Sequence, residues 1–339
     1  MKDITHYSLL AHNTFGIDAE CMRFLEYNTV EEARQVAAEL RSSSAPLLII
    51  GGGSNLLLQG DFQGVVVHSA IKGIEEESSE DNASVFLRVG SGEVWDDVVA
   101  FAVARDYYGM ENLSIIPGEV GASAVQNIGA YGAEAGDIIY KVEAVELSTG
   151  NIVAFNKEDC GYAYRQSRFK NEWKNRFLIT HVTYRLSKTF TPKLEYGNIR
   201  SSLEAQGITS PTAAQVRQTI IDIRNAKLPD PKVTGNGGSF FVNPIVSKEK
   251  YEALAAQYPG MPHYTVDEEH EKIPAGWMIE QCGWKGRSLG RAGVHDKQAL
   301  VLVNRGGATG EEIVRLCDTI RHDVREKFGI DIHPEVNIV

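Results

Sequence analysis

No stretch of this 339-residue chain is apolar for long enough to cross a bilayer; the longest run, Pro46–Ile50, has the length of a strand. Met1–Phe15 lacks the apolar core of a secretory signal, so the cytoplasm is the expected compartment. Cysteine is scarce: Cys21, Cys160, Cys282 and Cys317 lie far apart and form no C-x-x-C, which points to reduced thiols rather than a disulfide framework. The nine histidines show neither H-x-x-x-H nor H-E-x-x-H spacing, so no metal is expected. Basic residues do not predominate either. A formal net charge of -11 argues against nucleic acid or a membrane surface as partner. A small anionic ligand stays possible only where positive charge is concentrated locally. Internal repeats, low-complexity tracts and long linkers are also missing, and the length suits two or three domains of a globular protein, with a monomer expected.

What is present begins with a helix pattern. Val30, Ala33, Val36, Ala37 and Leu40 recur at helical spacing behind a Thr29/Glu32 capping box. The buried strand Pro46–Ile50, the run Gly51–Asn55 and the strand Val65–His68 follow. A second helix is expected from Glu93 to Tyr108, stopped by Gly109. Between Lys141 and Leu186 the pattern changes to strands and turns, notably Lys141–Leu147 and Phe177–Tyr184. A helix signal returns at Ser210-Pro211 with Val216, Ile220 and Ile223 on one face, ending before Pro229. The last helix starts at Thr309, with Glu312 completing a capping box. Ile313, Leu316, Cys317, Ile320, Val324 and Phe328 form its stripe, and Gly329 closes it. Tyr264–Lys272, polar and acidic, is expected to be the weakest-packed stretch. The sum reads as α+β with a break near residues 205–215.

Two glycine segments carry the functional signal. Gly51-Gly52-Gly53-Ser54-Asn55 after an apolar strand suits an anion-binding nest, since consecutive glycines reach positive φ and bring backbone N–H groups close to a phosphate. A tight structural turn fits it as well, and it is neither a P-loop nor a dinucleotide fingerprint. The second segment, Ile116–Gly132, fits neither helical nor strand periodicity. So many small residues over such a length suggest backbone lying against a flat or extended ligand, with a compact packed loop as the alternative.

Further on, Tyr164-Arg165-Gln166-Ser167-Arg168-Phe169-Lys170 gathers cations in a short span, either a binding element or a solvated hairpin surface. Arg224–Pro231 places a cation at a helix end before a proline-fixed turn. In Gly235-Asn236-Gly237-Gly238-Ser239-Phe240-Phe241-Val242-Asn243-Pro244 a serine sits among glycines, where backbone could approach a substrate; a plain turn before a strand is the alternative.

These segments together resemble the UDP-N-acetylenolpyruvoylglucosamine reductase (MurB) family, whose wording includes Gly-Gly-Gly-Ser-Asn, Ile-Pro-Gly-x-Val-Gly, Gln-Asn-Ile-Gly-Ala-Tyr-Gly, Tyr-Arg-x-Ser-x-Phe-Lys, Lys-Leu-Pro-Asp-Pro, Gly-Asn-x-Gly-Ser-Phe-Phe and, near the end, Pro334-Glu335-Val336. The resemblance runs from about Phe15 onward. It implies vanillyl-alcohol-oxidase/PCMH-type FAD-binding domains plus a C-terminal α+β substrate-binding domain: 1–70 and 71–210 for FAD (the PCMH-type region at about 18–188), and 211–339 for substrate. FAD would be held without a covalent bond by Gly51, Gly52, Gly53, Ser54, Asn55, Pro117, Gly118, Gly121, Ala122, Ser123, Gln126, Asn127, Gly129, Ala130, Tyr131, Gly132 and Arg224. By the same resemblance Ser239 is the proton donor, with Arg165 and Glu335 as charge-stabilising partners. Lys227, Asn243, Tyr264, Gln298 and, less distinctively, Lys285 would hold the sugar nucleotide. Tyr196 matches the mobile clamping tyrosine of the family's longer subclass.

The implied activity is NADPH-dependent reduction of UDP-N-acetylglucosamine enolpyruvate to UDP-N-acetylmuramate in peptidoglycan synthesis. The alternative is an FAD-dependent oxidase of small alcohols or lactones on the same fold. The chemistry suits the residue types. An enol ether conjugated to a carboxylate accumulates negative charge in that carboxylate on reduction, and a guanidinium stabilises it with two N–H groups. A serine hydroxyl is a poor acid in water and acts only at reacting distance with charge beside it. Glu335 could share a proton with the enol form only if burial raised its pKa.

Overall fold

The computed structural model describes residues 1–79 and 82–339. Contacts divide the chain into two compact units, each drawn from several stretches: 1–7, 21–52 and 63–226 in the first, and 8–20, 53–62 and 227–339 in the second. Helices and mainly antiparallel strands alternate irregularly, which is the α+β class expected.

In the first unit a sheet orders the strands Lys2–Ser8, Glu20–Tyr27, Phe62–Ser69 and Leu47–Ile50. The last two run parallel, Leu47 opposite Val65. The helix Val30–Leu40 forms half of the expected capping box: Thr29 Oγ1 accepts from the Glu32 N–H at 3.1 Å, while the Glu32 carboxylate accepts from the Asn28 N–H at 2.7 Å instead of from Thr29. Its buried face, Ala33, Val36 and Ala37, packs on Leu25, Tyr27, Val65 and Val67.

A five-stranded antiparallel sheet orders Ile152–Asn156, Ile139–Glu146, Phe177–Ser187, Ser84–Gly90 and Ile74–Ser78. Its core side takes the helix Trp95–Val103, with Trp95, Val98, Val99 and Ala102 fully buried. This helix stops short of Tyr108, where the sequence pattern had carried it. Asp106 turns left-handed (φ 57°), and Tyr108 exchanges both backbone hydrogen bonds with Ser187 at 2.8 and 3.0 Å, so a sheet-edge bridge wins over helix propensity.

The helix expected from Ser210-Pro211 begins two residues later, over Ala213–Lys227. Thr212 caps it: its Oγ1 accepts from the Gln215 N–H, and the Gln215 side chain accepts from the Thr212 N–H. Val216 and Ile220 pack against Leu194 and against Ile199 and Leu203 of the helix Ile199–Ala205, which has too short a pattern to read from sequence. That packing keeps residues up to 226 in the first unit, so the break falls at 226/227 rather than near 205–215.

In the second unit the helix Gly310–Phe328 carries the expected Thr309/Glu312 capping box and the expected stripe, closed by left-handed Gly329. A small sheet of Ser288–Leu289, Ala292–Val294 and Leu302–Asn304 lies with it. Asn337–Ile338 pairs in parallel with Leu56–Leu57. Tyr264–Thr265 and His270–Lys272 form an antiparallel pair within the acidic stretch. Among the described residues no helix is long and apolar enough to cross a membrane.

Candidate functional site

Gly51 and Gly52 end the strand Leu47–Ile50. A Cβ on Gly51 would lie 3.1 Å from the Ala122 Cβ and 3.3 Å from Glu119 Oε2; one on Gly52 would lie 3.5 Å from the Gly118 Cα. The two glycine segments therefore meet within the first unit, and the absence of side chains permits the approach. Only Gly53 of the three has a left-handed φ (65°), and it belongs to the second unit.

The second glycine segment is not structureless. Val120–Gln126 is a short helix pressed against the strand Phe177–Ser187, with Ser123 Oγ 2.7 Å from the buried Tyr184 hydroxyl. Its glycines, alanines and serine leave no apolar stripe, which hides the helix from periodicity. Asn127 ends it in a left-handed conformation (φ 43°). Its Nδ2 donates to Glu134 Oε2 and the Ala163 carbonyl, and its Oδ1 accepts from the Gly136 N–H, all within 2.8 Å. Ser123 and Asn127 thus use their side chains for hydrogen bonds inside the fold. Gly118, Gly121, Ala122, Gln126, Gly129, Ala130 and Tyr131 are half-buried, while Pro117 and Gly132 are exposed.

The cationic run folds onto the end of this helix. Ser167 Oγ donates to the Val125 carbonyl (2.6 Å), and Arg165 Nη2 to the Gly129 carbonyl (2.6 Å). Lys170 Nζ donates to the Arg165 carbonyl at 3.1 Å. Ser167 and Phe169 are buried while Tyr164, Gln166 and Arg168 are exposed, so the run packs one side and leaves the other to solvent. Arg165 is itself left-handed (φ 56°), as are Ile115 and Tyr131, both at φ 48°. Such backbone strain in non-glycine residues concentrates at functional sites.

Arg224, on the helix Ala213–Lys227, reaches the Ile115 carbonyl only at 3.5 Å, and its buried Nε has no hydrogen-bond partner among the described residues. Burial pulls its guanidinium below the ordinary value, against the opposing effect of Tyr131 and Asp96. Tyr196, half exposed, lies over Gly132: a Cβ on Gly132 would be 3.4 Å from the Tyr196 Cβ. A guanidinium with a donor to spare, strained turns and a side-chain-poor surface fit a dinucleotide such as FAD.

Asp96 organises this region without having been singled out in the sequence. It accepts from Arg217 at 2.7 and 2.9 Å and from the Ile115 N–H at 2.6 Å. Burial alone would raise its carboxyl; Arg217 and the Ile115 N–H overcome that and hold it below its ordinary value. Its contribution is therefore complete above the unfolded-state pKa of about 3.9 and lost as pH falls through the lower folded value. Asp96→Asn is expected to cost about 1.5–3 kcal/mol at neutral pH. It should also flatten the acid limb of stability, as urea unfolding at pH 7 and at pH 3 would reveal.

In the second unit, the Phe240 carbonyl accepts from the Glu335 N–H at 2.8 Å, and Phe241 bridges Pro334. These bonds bring the backbones of Ser239 and Glu335 to neighbouring positions on two paired stretches. Ser239 is exposed, following a turn at Gly238 (φ 71°) whose N–H bonds Asn236 Oδ1 at 2.9 Å. Asn55 joins them, its Nδ2 donating to the Glu335 carbonyl at 3.4 Å, and Ser54 precedes it in the same turn. The close approach of Gly235 is structural: a Cβ there would lie 2.2 Å from the Phe15 carbonyl oxygen. Asn243 Oδ1 accepts from the Ala275 N–H (2.9 Å), and Gln298 Oε1 lies 3.2 Å from the Cβ position of Gly276, so both meet the first turn of the helix Ala275–Gln281. Lys227, exposed, ends the helix Ala213–Lys227, and Tyr264 is exposed on its strand. Lys285 stands apart, paired with Glu280 at 2.9 Å.

Residues 23–156 match the model described as FAD binding domain, and residues 230–339 match the UDP-N-acetylenolpyruvoylglucosamine reductase C-terminal domain. A Bacteroides fragilis protein named UDP-N-acetylenolpyruvoylglucosamine reductase is 55% identical over 98% of this chain and 99% of its own length. The chain belongs to the UDP-N-acetylenolpyruvoylglucosamine reductase family. A Porphyromonas gingivalis relative of the same name is 49% identical over 98% of each chain. The crystal structure of the Thermus caldophilus reductase shares the fold, with a TM-score of 0.67 at 21% identity over 99% of this chain and 98% of that one.

Sequence reasoning also passed over Glu26, His68 and Glu119. The signals available were an acid inside a glycine segment expected to face an anion, and a histidine ending the apolar run Val65–His68.

Proposed function

We propose that this chain reduces UDP-N-acetylglucosamine enolpyruvate to UDP-N-acetylmuramate with NADPH as electron source and non-covalent FAD as carrier, in cytoplasmic peptidoglycan precursor synthesis. The observation that supports the reading is the backbone hydrogen bond from Glu335 to Phe240, which makes the backbones of Ser239 and Glu335 neighbours in a chain of this family.

FAD, when bound, supplies the hydride that the substrate's terminal alkene carbon accepts. Gly51, Gly52, Gly118, Gly121, Ala122, Gln126, Gly129, Ala130, Tyr131 and Arg224 would hold it, the last through its unpartnered Nε. Arg165 stabilises the charge that develops in the substrate carboxylate; a guanidinium can offer two N–H groups in one plane. Ser239 delivers the proton to the neighbouring carbon, which a hydroxyl can do only from within hydrogen-bonding reach. Glu335 holds the proton of the enol form. Lys227, Asn243, Tyr264 and Gln298 orient the nucleotide and sugar, and Tyr196 is the clamping tyrosine of the longer subclass. Lys285 would have to leave Glu280 to take a phosphate.

The test is an anaerobic half-reaction. The purified protein should be yellow, bleach with NADPH and regain its colour when the enolpyruvyl nucleotide sugar is added. Oxygen uptake with small alcohols or lactones, and no recovery with the nucleotide sugar, would favour the oxidase instead.

A further inference from the structure

The strand Phe62–Ser69 carries, one residue before its end, a histidine that the reduction chemistry does not use. His68 is nearly closed to solvent, at 7 % exposure. Its Nδ1 lies 2.9 Å from Glu26 Oε2, and its Nε2 lies 3.1 and 3.0 Å from the two oxygens of Glu119. Glu26 comes from the strand Glu20–Tyr27 and Glu119 from the turn before the helix Val120–Gln126. Both ring nitrogens meet carboxyl groups, and the doubly protonated imidazolium can donate at each. Phe24 stacks beside the ring, with centroids 6.3 Å apart.

The other charged and titratable groups nearby are few. Lys2 faces Glu26 at long range and sits over Phe24, with its Nζ 5.1 Å from the ring centroid and 3.0 Å from the Tyr7 hydroxyl. Tyr27, fully buried, donates its hydroxyl to the Ile179 carbonyl and feels Glu119. Burial opposes charging of His68, but Glu119 and Glu26 outweigh it and raise its pKa.

The position of Glu119 gives the cluster its meaning. Its Oε2 lies 3.3 Å from where a Cβ on Gly51 would stand, and its side chain also borders Gly52. On the reading proposed above, those glycines receive the diphosphate of a dinucleotide. A bare carboxylate there would repel the diphosphate, and like charges in close contact are strongly disfavoured.

We propose that His68 is a positioning residue for the cofactor: as an imidazolium held between Glu26 and Glu119 it offsets the charge of Glu119 and fixes that carboxylate where it borders the diphosphate bound at Gly51–Gly52. This inference rests on the FAD reading and adds to it a proton as a second ligand of the same site. Proton binding at His68 and FAD binding are thermodynamically linked, so each strengthens the other by the same factor. Because the folded pKa is raised, the favourable state is complete below the unfolded value of about 6.5 and is lost as pH rises through the folded value.

The experiment measures FAD dissociation from the holoprotein by the recovery of free flavin fluorescence, from neutral to alkaline pH, together with thermal unfolding of each apoprotein. The wild-type chain should hold FAD about 5–150-fold less tightly once His68 is discharged. His68→Gln should be weak at all these pH values, with the step gone. Glu119→Gln should remove the step while keeping tight binding, and His68→Gln combined with Glu119→Gln should recover most of the affinity. A double variant as weak as His68→Gln, or a wild-type pH step that survives in His68→Gln, overturns the proposal and leaves a packing role. A wild-type chain that takes up no FAD at any pH overturns the dinucleotide reading itself, and this inference with it.

Discussion

Replacing Ser239 with alanine is expected to slow the return of flavin colour on adding enolpyruvyl nucleotide sugar by about 10²–10⁴-fold, the usual contribution of a positioned proton donor. Bleaching by NADPH should proceed at the wild-type rate, because that half-reaction needs no proton from the serine. Ser239 is exposed and the turn before it is made by Gly238 and Asn236, so alanine should leave the local backbone and the overall stability as they are. Stopped-flow absorbance of each half-reaction separates the two effects. Glu335→Gln should show the same asymmetry, since its backbone contacts to Phe240 and Asn55 survive the change. Equal slowing of both half-reactions in either variant would mean that the residue shapes the flavin environment, and the assignment of proton chemistry to it would fall.

The second large effect is structural. Gly53→Ala is expected to lower the unfolding free energy by about 2–5 kcal/mol, from a left-handed backbone costing about 1–2 and overpacking costing about 1–3. A Cβ on Gly53 (φ 65°) would stand 1.9 Å from the His12 carbonyl oxygen and 2.8 Å from the Asn13 Cα. Both obstacles are backbone, and that backbone is fixed: the Thr14 N–H donates to the Gly53 carbonyl at 3.1 Å, and Asn13 Nδ2 bonds the Leu9 and Ile17 carbonyls at 2.9 Å. Gly60→Ala is the control, because a Cβ there meets nothing within 4 Å and its φ is ordinary. Chemical denaturation of the two variants should differ by most of that range. Similar midpoints would show that the 8–20 stretch yields more readily than its hydrogen bonds suggest.

Much of the architecture could be read from the sequence because its signals are local. The Thr29/Glu32 and Thr309/Glu312 caps, the stripe from Ile313 to Phe328 and the closing Gly329 each act over one or two turns, and each is found in the structure. What escaped reading depends on partners far away in the chain. Tyr108 leaves its helix pattern for Ser187, and the helix Val120–Gln126 has no stripe because its small residues are pressed against a strand. The same holds at the site. Family wording supplied Arg165, Ser239 and Glu335 as candidates, and the internal side-chain bonds of Ser123 and Asn127 to Tyr184, Glu134 and Ala163 could not be read from it. Asp96 and His68 could not be found from spacing, since each earns its role from partners brought in by folding: Arg217 for one, Glu26 and Glu119 for the other.

The pairing of Asn337–Ile338 with Leu56–Leu57 has a consequence for how the protein is made. A ribosome delivers residues 8–20 and 53–62 long before 227–339, yet all three belong to one compact unit. The early stretches, with apolar Phe15, Ile17, Leu56, Leu57 and Leu58 that end up buried, must therefore wait uncovered through most of translation. Elongation proceeds at roughly 5–20 residues per second, so that wait is on the order of tens of seconds, during which these segments are natural clients for chaperones.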